Sequence, residues 1–132
     1  MRAVTSEKDL WQLHTSDIHA DYVGAPVANG GNGLLPWKEP FSIQLVILNH
    51  VFDTDGPKGV SRVLKGINPF LLTLELDGKK IDANSLSDWK QTIDMKEATH
   101  NTSFLADKKA KVTYSICALR NMPYAGLIRV EV

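Results

Sequence analysis

Apolar and polar residues alternate with a period of two in several short stretches of this 132-residue chain, and no sustained period near 3.6 appears. Val112, Tyr114, Ile116 and Ala118 alternate with Thr113, Ser115 and Cys117, which predicts a half-buried strand. After a break at 120–126, Ile128, Val130 and Val132 fall on one face and Arg129 and Glu131 on the other. Leu72, Leu74 and Leu76 alternate with Thr73, Glu75 and Asp77, and Asp77-Gly78 then suits a two-residue hairpin turn, since both residues tolerate positive φ. Between 41 and 53, Ile43, Leu45, Ile47 and Asn49 share one face, while Val46, Leu48 and His50 share the other. Apolar residues on both faces predict a strand covered on both sides. Residues 89–95 and 102–105 read as two further strands, with a helix through Lys96 and Glu97 as the alternative.

Breaker clusters at 53–59, at Gly66, Asn68 and Pro69, and at 120–126 separate these stretches. Residues 1–25 show no clean period: Ser6 and Asp9 fit the cap of a short helix, and 14–22 reads as loop or irregular strand. The pattern predicts an all-β fold, an antiparallel β-sandwich or meander. The last strand runs to Val132 with no turn after it, so the expectation is a chain cut inside a domain.

The bulk numbers narrow the function classes. A chain of 132 residues fits one domain, and at this size roughly two-thirds of the unfolded surface is buried on folding. Lys plus Arg and Asp plus Glu number 15 each, so there is no basic excess for a nucleic-acid footprint. No stretch approaches the ~18 apolar residues of a membrane span, and the first residues lack the apolar region of a leader. Cys117 is the single cysteine, which excludes an intramolecular disulfide and a cysteine zinc site. Its apolar surroundings predict a buried, inert thiol, and the compartment, cytoplasmic or periplasmic, stays open.

Candidate chemistry is sparse. His14, Asp17, His19 and Asp21 are crowded together but match no metal-ligand spacing, and histidines five apart on a strand face opposite ways. This segment reads as a polar loop, and no metal or cofactor site is assigned. His50 reads as a hydrogen-bonded core residue and His100 as part of a surface loop. Serines are plentiful, but none sits in a nucleophile elbow. Asp53, Asp55, Asp94 and Glu97 are glycosidase-type carboxylates by residue type alone, and nothing in their spacing selects them.

Gly30, Gly31, Asn32 and Gly33 all suit positive φ and precede Leu34-Leu35-Pro36-Trp37. A phosphate cradle needs a helix behind its glycines, and Pro36 forbids one. That leaves a turn feeding a strand, or a sugar platform. An indole face suits the apolar face of a pyranose, so Trp37 and Trp11, with Asn32 beside them, are the carbohydrate-contact candidates. No catalytic residue is assigned.

Taken in order, the segments resemble the N-terminal β-sandwich of glycoside hydrolase family 65, whose members include kojibiose, maltose and trehalose phosphorylases and their hydrolase relatives. "ANGGNGLLPW" resembles its "NG-x-x-G" signature, and "ILNHVFD" a strand end leading to a variable loop. "GINPFLLTLELDGKKI", "WKQTIDMKEATHNTSF" and "KVTYSICALRNMPYAGLIRVEV" are similar to the three segments that follow. The likeness covers roughly residues 25–132, and its weight lies in the order of the segments. Asn101 to Ser103 depart from it, standing where the family often has a basic residue.

The resemblance implies a galactose-mutarotase-like supersandwich, of which residues 1–132 are all or the first half, packed on a catalytic (α/α)6 barrel of the same polypeptide. It further implies a non-catalytic role in folding and assembly, beside a barrel that acts on α-linked glucosides. This chain alone would then be inactive. Two other readings stand beside it: a free-standing carbohydrate-binding sandwich, and a protein-interaction domain. Open sheet edges predict self-association.

Overall fold

The computed structural model describes residues 10–21, 24–55 and 57–132. The helix start expected at Ser6 to Asp9 lies outside the described residues. Among the described residues eleven strands follow in order: β1 (Gln12–Thr15), β2 (Val27–Ala28), β3 (Asn32–Pro36), β4 (Ile43–Asp55), β5 (Val60–Lys65), β6 (Glu75–Leu76), β7 (Lys79–Lys80), β8 (Leu86–Asp94), β9 (Thr99–Ala106), β10 (Ala110–Ala118) and β11 (Gly126–Glu131). Between β7 and β8, Ala83–Ser85 form a single 3₁₀ turn, which Asp82 caps by accepting from Asn84 N.

All pairings are antiparallel. One sheet has the order β1-β8-β9-β10-β11, a second β2-β3-β4-β5, and β6-β7 is a separate hairpin. The two large sheets pack face to face as a β-sandwich, so the fold class matches the expectation. Because side chains alternate across a strand, every second residue of β9 and β10 is buried: His100, Thr102, Phe104 and Ala106 on one, Val112, Tyr114, Ile116 and Ala118 on the other. Val27, Leu34, Ile43 and Val46 meet them from the second sheet.

Tyr114 joins the layers. Its ring lies 4.5 Å from Phe41 and 6.3 Å, edge on, from Phe104. Its hydroxyl accepts from Phe41 N at 3.1 Å, which satisfies a backbone donor where Phe41 takes φ 59°. Gln91 bridges the layers too, donating to the carbonyl of Trp37 at 2.7 Å. At Gly126 the sheets come so close that a Cβ would sit 2.7 Å from Leu34 Cδ1 and 2.8 Å from Phe70.

Several expectations need correction. The alternating leucines before Asp77 form a strand only at Glu75–Leu76, and Leu71 and Leu72 are exposed, because among the described residues no strand pairs with them. The Asp77-Gly78 turn is as expected, with φ 53° and 74°. β4 was expected to be covered on both faces, yet beyond Asn49 it projects with β5 as an exposed hairpin. Its register breaks between Ile47 and Phe52, and His50 there takes φ 63° and points to solvent, so His50 is not a core histidine. Cys117 is half-buried on the outer face, not in the core, since its neighbours Ile116 and Ala118 occupy the inner one.

Candidate functional site

The outer face of the five-stranded sheet is polar. Paired residues share a face, so the β1–β8–β9 register puts Gln12, Asp94 and Thr99 in one row across it. The next row is His14, Thr92, Asn101, Ser115 and Arg129.

Asp94 organises the end of this face. Its Oδ1 accepts from the backbone N of Lys96 and of Glu97, both at 3.0 Å, which shapes the turn from β8 to β9 as an Asx turn. Its Oδ2 accepts from Gln12 Nε2 at 2.7 Å and so holds β1 against β8. Asp94 is therefore a buried carboxylate engaged through both oxygens. Met95 N donates to the carbonyl of Trp11 at 2.9 Å, which pins the tryptophan backbone beside the same turn.

The result is an open groove of about 630 Å³. Trp11 stands on one side with 47% of its surface exposed. Gln12, Asp94, Thr99 and Asn101 line it, and Lys96 and Glu97 flank it. Asn101 is held at both ends of its amide: it donates to Thr99 Oγ1 at 3.1 Å and accepts from Ser115 Oγ at 2.6 Å.

A smaller cleft of about 200 Å³ opens on the inner side of β1, lined by Leu13, Ala25, Ile93, Gln91 and His100 among others. His100 is only 3% exposed, which overturns the surface-loop expectation. Burial, partly opposed by a backbone hydrogen bond, pushes its pKa down to about 4, so the imidazole is neutral. Its Nδ1 finds no hydrogen-bond partner among the described residues.

The three carbohydrate-contact candidates do not converge. Trp11 lines the groove. Trp37 is half-buried after β3, tied by its backbone to Gln91 and Ser42, with the Lys38 ammonium 5.9 Å from its ring centre. Asn32 is buried at the start of β3, 4% exposed.

The glycine stretch is a turn between β2 and β3. Gly30 alone of its four residues takes positive φ, at 90°. Asn29 shapes it: Oδ1 accepts from Gly31 N at 2.8 Å and Asn32 N at 2.9 Å, while Nδ2 donates to Leu119 O at 2.6 Å. Sequence reasoning passed over Asn29, although an Asn two residues ahead of Gly31 was the available signal. The 16–21 segment is a turn in which Asp17 Oδ1 accepts from His19 N at 2.9 Å. Among the described residues no three His, Cys, Asp or Glu side chains gather as metal ligands.

No protein-family model matches the chain. Among curated proteins, it is 32% identical over 126 residues to a kojibiose hydrolase of Mucilaginibacter mallensis, covering 95% of this chain and 19% of that protein. It is 29% identical over 126 residues to a kojibiose hydrolase of Flavobacterium johnsoniae, covering 95% of this chain and 18% of that protein. The chain is homologous to the N-terminal part of kojibiose hydrolases. These are glycoside hydrolases of family 65, so the resemblance read from the order of its segments holds. The chain spans less than a fifth of the length of the kojibiose hydrolases it matches.

Proposed function

We propose that this chain is the non-catalytic N-terminal sandwich, or the first half of one, of a glycoside hydrolase or phosphorylase acting on α-linked glucosides. Its role is to support folding and assembly of a catalytic (α/α)6 barrel in the same polypeptide. The observation that carries this reading is the match of nearly the whole chain to a small part of much longer proteins named for hydrolysing kojibiose.

The surface is consistent with a supporting role. The β4–β5 hairpin exposes Val51, Phe52, Val60, Val63 and Leu64, with Phe52 60% exposed and paired across the hairpin with Val63. Apolar side chains so grouped fit a protein surface better than water.

Complementation tests the reading. A kojibiose hydrolase lacking the segment matched by this chain is produced with and without the chain. Recovery of soluble protein and of kojibiose turnover is the expected result, and Phe52→Ser with Val63→Ser removes it. Equal yield and turnover in both cases overturns the role.

A second reading, self-association, is favoured by the apolar edge strand β11, where Leu127 and Val130 are exposed. A concentration-independent monomer mass by light scattering excludes it.

A further inference from the structure

We infer that the groove beside Trp11 is a pyranose-binding site on the outer face of the five-stranded sheet. A pyranose presents an apolar face of C–H groups and a rim of hydroxyls. A protein that binds one needs an exposed aromatic plane next to fixed planar donors and acceptors.

Trp11 supplies the plane. Its backbone is fixed by the hydrogen bond from Met95 N, and its indole is half-exposed at the groove wall. Gln12 and Asn101 supply the amides. Both are already anchored, Gln12 by Asp94 and Asn101 by Thr99 and Ser115. An amide has two N–H donors and two carbonyl lone pairs. The anchoring bonds fix the amide planes and leave donor and acceptor capacity for a sugar rim. Glu97, on the turn that Asp94 braces, adds a carboxylate that can accept from a vicinal pair of hydroxyls. Because the two amides are pre-positioned by bonds within the protein, they lose little side-chain freedom on binding.

Three features separate this groove from the other aromatic positions. Trp37 is half-buried and lines neither this groove nor the inner cleft, and Trp89 is buried. The inner cleft at His100 has mostly apolar walls and lies on the inner face of the sheet. The choice of glucosides as first probes rests on the proposed function; the site itself does not.

The test is calorimetric titration of the full 132-residue chain with methyl α-glucoside, kojibiose and sorbitol, repeated on variants checked for folding by thermal melting. Sorbitol offers hydroxyls without a fixed apolar face. The expected result is saturable binding of the two pyranosides and none of sorbitol. Trp11→Ala weakens binding by about tenfold, as loss of a stacked ring implies. Trp11→Phe lies between, Asn101→Ala weakens it by a few fold, and Trp37→Ala leaves it unchanged.

Absence of saturation with every pyranoside, equal binding of sorbitol, or unaltered affinity in Trp11→Ala overturns the site. Methyl α-galactoside is titrated in the same way; its binding in preference to the glucosides upholds the site and counts against the glucoside chemistry of the proposed function, so the two fail separately.

Discussion

β10 and the β4–β5 hairpin are built from similar residues and meet opposite fates. On β10, Val112, Tyr114, Ile116 and Ala118 are all buried, and the first three lie in one core cluster with Val27, Leu34, Ile43 and Val46 of the facing sheet. On β5, every residue is exposed, among them Val60, Val63 and Leu64. The difference lies in what stands opposite. β10 is flanked by β9 and β11 and faced by β2 and β3, whereas β5 is an edge strand whose only ladder partner among the described residues is β4. An apolar pattern states that a face wants cover; it does not state which part of a longer polypeptide supplies it.

Substitutions sharpen this contrast. Tyr114→Ala removes the ring that joins the layers and the acceptor for Phe41 N, and should cost about 3–5 kcal/mol in denaturant unfolding. On β5, Val63→Ala should cost under about 0.5 kcal/mol in the same measurement, because the residue is exposed and fills no part of the core.

The next effect is on pH. His100 is neutral when folded, with its pKa lowered to about 4 from 6.5, so the unfolded chain takes up a proton first as pH falls. Its contribution is therefore fully present above pH 6.5 and is lost between there and pH 4, by up to about 3 kcal/mol at ~1.4 kcal/mol per pH unit. Unfolding free energy followed over that range should fall with acid, and His100→Gln should flatten the fall. A smaller effect is expected at Gly126→Ala, where the new methyl meets Leu34 and Phe70. Destabilisation of about 1–3 kcal/mol is expected, and a neutral outcome would show that the two layers have room to part.

The sequence made some of this structure legible and hid the rest for identifiable reasons. β10 showed a clean period because its inward residues are apolar and most of its outward ones polar. β9 did not, because two of its inward residues, His100 and Thr102, are themselves polar, so His100 looked like part of a loop. His50 misled in the other direction: the irregularity between Ile47 and Phe52 breaks the alternation that had placed it inside. Trp11 was recognisable as an aromatic candidate. Its neighbours in the groove were not, since Gln12, Asp94 and Asn101 are brought together only by the pairing of β1, β8 and β9. The Asn29 turn was within reach of the sequence and was obscured by the glycines that follow it.

The central claim is that this sandwich breaks no glycosidic bond and serves a catalytic module elsewhere. Glucose release by the purified chain, incubated with kojibiose and other α-linked disaccharides with and without phosphate, tests it most directly. The account predicts no release above buffer. Turnover that persists through repurification and is abolished by a single carboxylate substitution within these 132 residues contradicts it.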